Sequence, residues 1–177
     1  MELYTDSYYV QRVQAGDTAC FACLLDKYSR RVHTLIVRII GNREDAEELT
    51  QDVFMKVYSS LPAFKGDSSF PTWLYRIAYN TAVSETRRKK YEFPAIEESL
   101  LANVSEEETG LSEQTDRLET ALALLPPEER AVILLYYMED KTVEEVSAIT
   151  GLSASNVKTK LFRIRKKLFV LLKRLEE

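Results

Sequence analysis

A chain of 177 residues has room for one ordinary domain or two small ones, and 24 basic against 28 acidic residues leave it at a net charge of −4. The longest uncharged stretch, residues 146–157, is broken by Ser, Thr and Gly and falls short of the roughly 18 apolar residues of a membrane span, which excludes membrane insertion. The opening MELYTDSYY has neither a basic start nor an apolar core, so no secretion signal is expected and the chain reads as soluble and cytoplasmic.

Charge is distributed unevenly. Residues 1–90 carry 13 basic and 11 acidic side chains, residues 91–116 none and 8, and residues 117–177 carry 11 and 9. An acidic segment therefore separates two mildly basic blocks, and its sign hides them in the total. Nucleic-acid binding depends on where positive charge is concentrated. Eight Lys or Arg and no acid lie between Lys158 and Arg174, and Arg87, Arg88, Lys89 and Lys90 form a second cluster. Cys20 and Cys23 make a lone CxxC with one histidine, His33, in the whole chain. A structural zinc normally takes four ligands, so no metal is expected, and the two thiols read as small residues near one buried face.

In chain order, a short helix through Tyr9 and Val13 precedes a long one whose stripe is Phe21, Leu25, Tyr28, Val32, Leu35 and Ile39. Asp17 is the expected cap of that helix and Gly41 its end. Ala46, Leu49, Val53, Val57 and Leu61 give a second stripe, stopped by Pro62. Pro71 suits the first turn of a third, with Leu74, Ile77, Ala78 and Ala82 inward. These helices can close around one core. Tyr91–Asp116 shows no sustained apolar period, contains Pro94, Glu106-Glu107-Glu108 and Gly110, and reads as a flexible acidic linker.

Helical spacing resumes at Leu118, Ala121, Leu122 and Leu125, breaks at Pro126-Pro127 and restarts near Glu128, with Val132, Ile133, Leu135 and Tyr136 inward. Thr142 and Glu145 have capping-box spacing, Val146 and Ile149 give a buried face, and Gly151 supplies a tight turn. Ser153 can cap a last helix buried through Val157, Leu161, Ile164 and Leu168. A short helix, a glycine turn and a longer basic helix form a helix-turn-helix, whose second helix enters the major groove. Ser155, Asn156, Lys158, Thr159, Lys160 and Arg163 are donors suited to base edges or phosphates, and Lys167 lies further along toward the phosphates.

The stretch from Phe64 to Lys90 differs in character. Phe70, Trp73, Tyr75 and Tyr79 are interleaved with Arg76, Asn80, Thr81, Ser84, Arg87 and Arg88. Aromatic faces accept unstacked bases and cations hold the backbone beside them. Arg76, Asn80, Ser84, Arg87 and Arg88 share one helix face, and Trp73 reads mainly as packing. The fold class expected is all-α: two small helical domains, residues 1–92 and 116–177, joined by the acidic linker at 93–115.

EDAEELTQDVFMKVYSSLPAFKGDSSFPTWLYRIAYNTA followed by RRKK resembles the second region of extracytoplasmic-function sigma factors. LLPPEERAVILLYYMEDKTVEEVSAITGLSASNVKTKLFRIRKKL is similar to their fourth region. The resemblance implies a promoter-directing subunit of RNA polymerase without catalysis or cofactor of its own. It implies that Glu47, Glu48, Gln51, Asp52, Met55 and Lys56 dock on the β′ clamp of the core polymerase, with the β flap as a further contact. The loop from Ala63 to Phe70, including Lys65, and the helix through Phe70, Arg76, Tyr79, Asn80, Thr81, Ser84, Arg87 and Arg88 would capture melted minus-10 DNA. Residues 153–163 would read the minus-35 duplex, and an anti-sigma partner is expected.

Two other readings are open to the residues alone. One is a helix-turn-helix regulator that is not a polymerase subunit, against which stands the exposed acidic helix beside an aromatic and basic one. The other is a nuclease-like enzyme, for which the sequence offers no Asp/Glu cluster of metal-ligand type, no phosphate loop and no Ser/His/Asp set.

Overall fold

In the computed structural model, residues 4–92 and 113–176 are described, and they form eight helices. The first four are α1 (Asp6–Gln14), α2 (Phe21–Ile40), α3 (Arg43–Ser60) and α4 (Phe70–Glu92). The last four are α5 (Glu113–Ala123), α6 (Pro127–Tyr137), α7 (Val143–Thr150) and α8 (Ala154–Glu176). Of the stretch read as linker, residues 93–112, with Pro94, Glu106-Glu107-Glu108 and Gly110, lie outside the described residues; Glu113–Asp116 are already helical in α5.

Local chemistry sets most boundaries. Asn42 accepts the amide of Asp45 at 3.0 Å and caps α3, and Gly41 closes α2 in the left-handed conformation at φ 74°. Asp17 does not cap α2 as its spacing suggests. Its carboxylate pairs with Arg12 at 2.6 Å, which holds it below the usual carboxylate range, and a 3-10 turn, Thr18–Cys20, leads into the helix instead. The cysteines do not share a buried face: Cys23 is exposed, while Cys20 is half-buried with its thiol 3.4 Å from Asp17.

The stripe on α2 is rotated from the expected one. Leu24 and Ile36 are fully buried with Tyr28, Val32, Leu35 and Ile39, whereas Phe21 and Leu25 are only half-buried at its margin. Each fully buried Leu or Ile contributes about 1.5–3 kcal/mol over an exposed one. On α5, Leu118 is exposed and Ala121 and Leu122 do the packing.

The two helical groups do not have separate cores. Buried side chains form one continuous cluster from Val10 to Ile164, with α6 against α2 and α7 against α4. Five consecutive residues of α6, Ala131 to Leu135, are buried because the helix is covered on both sides, by α2 and by α8. Arg130 fastens this junction. Its guanidinium donates to the carbonyls of Leu122 and Ala123 at the end of α5 and of Leu125 just beyond it, and to those of Arg38 and Ile39 at the end of α2, at 2.6 to 3.0 Å. One side chain thus satisfies orphan carbonyls at two helix ends.

Candidate nucleic-acid interface

Three exposed faces carry the residues singled out in the sequence. On α3, Ala46, Leu49, Val53, Phe54 and Val57 turn inward, leaving Glu47, Glu48, Gln51, Asp52, Met55 and Lys56 exposed. Met55 is 69% exposed, a large apolar side chain in an acidic setting that folding does not use. Lys56 bonds Thr81 at 3.3 Å and Lys89 pairs with Asp45, which ties this helix to α4.

The loop between α3 and α4 is braced from several directions. The side-chain amide of Gln14 on α1 donates to the carbonyls of Leu61 and Phe64, at 3.0 and 2.9 Å. Phe64 packs on Trp73 with ring centroids 4.6 Å apart, so Trp73 is packing, as its helical spacing suggested. Gly66 takes a left-handed φ of 74°, and Ser69 accepts the amide of Thr72 at the start of α4. Lys65 is exposed at the loop tip.

Along α4, Arg76, Asn80, Ser84, Arg87 and Arg88 are exposed on one side and Thr81 is half-buried. Arg88 bonds Glu85 at 2.6 Å and lowers the pKa of its carboxyl. Two aromatics of the proposed set are placed differently. Phe70 is buried against Tyr28 and Trp73, and Tyr79 is 8% exposed, its phenol pKa raised by burial and by nearby Glu128. In this arrangement the donors of α4 are accessible and these two rings are not.

The helix-turn-helix is built from local bonds. Thr142 and Glu145 exchange both capping-box bonds, at 2.8 and 3.1 Å, and Gly151 closes α7 at φ 79°. The Ser147 hydroxyl donates to the Leu152 carbonyl at 2.5 Å and fixes the turn, and Ser153 accepts the amide of Asn156 at the start of α8. With Val157, Leu161 and Ile164 buried, Ser155, Asn156, Lys158, Thr159, Arg163 and Lys167 are exposed and Lys160 is half-buried. Further along, Lys167 is paired with Glu129 at 2.7 Å and Arg165 donates to the Tyr137 hydroxyl at 2.6 Å.

The sequence reading missed the apolar side of α8. Phe162, Phe169 and Val170 are exposed, with Lys166 over the Phe162 ring. An open groove beside them is lined by Leu124, Leu125, Pro126, Val170 and Leu171 and edged by Lys166 and Lys167. A second apolar period shifted from the buried one was the available signal.

Sigma-70 region 2 matches residues 24–91 and Sigma-70 region 4 matches residues 115–168. The chain is 34% identical over 177 residues to the ECF RNA polymerase sigma-E factor of Escherichia coli K12, covering 93% of this chain and 92% of that protein. It is 32% identical over 173 residues to the RNA polymerase sigma-H factor of Pseudomonas aeruginosa, covering 90% of each. Among solved structures, the fold is similar to the sigma factor RpoE of Bartonella quintana in complex with the anti-sigma factor NepR. The TM-score there is 0.70 at 24% identity, over 86% of this chain and 96% of that one. It is also similar to CnrH in complex with the cytosolic domain of CnrY, with TM-score 0.71 at 24% identity over 96% and 97%. With both family regions present in order, flanking the acidic segment, the chain belongs to the sigma-70 family as an extracytoplasmic-function RNA polymerase sigma factor.

Proposed function

We propose that this factor binds core RNA polymerase mainly through Glu47, Glu48, Gln51, Asp52, Met55 and Lys56 on α3, and contacts promoter DNA with two separate surfaces. The braced loop with Lys65 and the donors Arg76, Asn80, Thr81, Ser84, Arg87 and Arg88 take melted minus-10 DNA, with Phe70 and Tyr79 joining where their rings become accessible. Ser155, Asn156, Lys158, Thr159, Lys160, Arg163 and Lys167 serve the minus-35 duplex. RNA synthesis itself belongs to the polymerase, and the factor works in the cytoplasm. The observation that carries this reading is the acidic face of α3, exposed Met55 included, standing beside the donor face of α4 in one body with the helix-turn-helix.

A regulator that only binds an operator has no use for the α3 face, and the region 2 match over residues 24–91 disfavours it. The apolar groove on α8 suits the β flap, and an anti-sigma partner of the kind bound to the Bartonella factor is proposed for this chain too. Asp52→Lys tests the α3 assignment. Core affinity should fall tenfold or more, about 1.4 kcal/mol. The urea midpoint should be nearly unchanged, because exposed charges contribute little to stability. Equal core affinity for the variant and the parent would remove α3 from the interface.

A further inference from the structure

Cys20 and Cys23 are the chain's two cysteines. Cys20 ends the 3-10 turn Thr18–Cys20 and immediately precedes α2, and Cys23 is the third residue of α2. Cα atoms three positions apart on a helix are about 5 Å from one another, inside the roughly 4.4–6.8 Å that a disulfide spans. Their exposures differ. Cys23 is open to solvent, whereas Cys20 is half-buried and its thiol donates to the Asp17 carboxylate at 3.4 Å. Burial and that bond raise the pKa of Cys20. Among the described residues no cluster of His, Cys, Asp and Glu surrounds the pair to hold a metal, so the chemistry open to it is that of two neighbouring thiols.

Both sulfurs have partners at the junction of α1 and α2. Asp17 is held by Arg12 of α1 at 2.6 Å as well as by Cys20. On α1 the phenol of Tyr9 lies beside Cys23, and burial together with that neighbour raises its pKa. The last residue of the same helix, Gln14, donates to the carbonyls of Leu61 and Phe64 in the loop between α3 and α4. One short helix therefore connects the two thiols to the loop assigned to minus-10 DNA.

We propose that Cys20 and Cys23 form a thiol–disulfide site that reacts with low-molecular-weight disulfides of the glutathione kind, and that closing the bridge weakens minus-10 recognition through α1. The second half rests on the assignment of that loop to minus-10 DNA. The exposed Cys23 thiolate attacks the small disulfide, whose S–S bond breaks, and the thiolate that leaves takes up the Cys23 proton. Cys20 then attacks the Cys23 sulfur of the mixed disulfide and expels the second thiolate, which is protonated as the Cys20 proton passes out through Asp17. Two protein thiols are oxidised and one small disulfide is reduced to two thiols. Bridging draws the Cβ atoms from the roughly 5–6 Å of helical neighbours to about 3.8 Å. Cys20 gives up its bond to Asp17 and Cys23 its place beside Tyr9, so α1 shifts and Gln14 shifts with it. Two thiols within bridging reach suit a report on oxidation in the cytoplasm, where disulfides are transient.

The test uses the full chain, oxidised alone in glutathione buffers of rising disulfide content, freed of glutathione and then mixed with untreated core polymerase. The oxidised chain should lose both free thiols, run as a monomer on a non-reducing gel and be lighter by two hydrogens, and dithiothreitol should restore the thiols. A chain that retains glutathione on Cys23, or that links to a second chain, overturns the site. Preference for the minus-10 sequence in holoenzyme should fall roughly two- to fivefold on oxidation, the loss of one or both Gln14 bonds, and return on reduction. Cys23→Ser treated alike should keep its preference. A bridge that forms and leaves preference unchanged overturns the effect on DNA. Lys65→Ala in the same assay checks the loop apart from this. Preference lost in Lys65→Ala keeps the loop assignment, whereas full preference removes it, and the effect on DNA with it, while the thiol site stands on the mass and thiol measurements.

Discussion

Nη1 of Arg130 lies 3.0 Å from the carbonyl oxygen of Ile39, a residue 91 positions earlier in the chain, and so joins the start of region 4 to the end of a region 2 helix. Arg130 is buried enough that desolvation lowers its pKa, and its bonds go to carbonyls of both regions. Removing it leaves several carbonyls without a donor. Arg130→Ala should cost about 3 kcal/mol in urea unfolding, and Arg130→Lys should recover less than half, since one ammonium cannot replace the planar fork. A loss under about 0.5 kcal/mol for the alanine variant would show that water satisfies those carbonyls equally well.

Gln14 is predicted to matter for DNA although it touches none. Its two bonds hold the carbonyls of Leu61 and Phe64 at the root of the minus-10 loop. Gln14→Leu should leave core affinity unchanged and reduce preference for the minus-10 sequence in holoenzyme roughly fivefold, the size expected for two lost hydrogen bonds each worth about 0.5 kcal/mol net. Lys65→Ala measured alongside reports whether the loop reads DNA at all. Preference lost in Lys65→Ala but kept in Gln14→Leu would make the brace dispensable.

On α8, Lys160 and Lys167 are predicted to act differently. Lys160→Ala should change base preference within the minus-35 element by roughly 1–3 kcal/mol at one position. Lys167 is already paired with Glu129, whose side chain is only 19% exposed, so Lys167→Ala should weaken all sequences slightly and alike. Glu129→Gln frees that ammonium for phosphate and should steepen the salt dependence by about one unit. Binding to a minus-35 library at two salt concentrations separates these effects. Altered base preference in Lys167→Ala with none in Lys160→Ala would reverse the placement of the helix in the groove.

Much of this architecture is legible in residue spacing because the forces that set it are local. The capping box at Thr142 and Glu145, the glycine ends at Gly41 and Gly151 and the Ser153 cap need only neighbours within a few positions. Asp17 was misread because its partner, Arg12, competes from the preceding helix. The Arg130 junction was invisible, since no periodicity marks a side chain that bonds carbonyls about ninety residues away. Burial of Tyr79 was ambiguous for a related reason: an aromatic at helical spacing suits a core and a base platform equally, and docking of region 4 decides between them. The exposed Phe162, Phe169 and Val170 lie beside the buried stripe of Val157, Leu161 and Ile164, and spacing alone does not separate a second apolar side from a wider buried one.

The most direct test of the account is run-off transcription with purified core polymerase on a library of promoters randomised across both elements, comparing the parent with Asp52→Lys and Lys160→Ala. The account predicts initiation from templates that share two separated sequence blocks. Asp52→Lys should lower output from all of them equally, and Lys160→Ala should change the upstream block alone. Initiation that does not depend on the factor, or a single block altered by both variants, would contradict it.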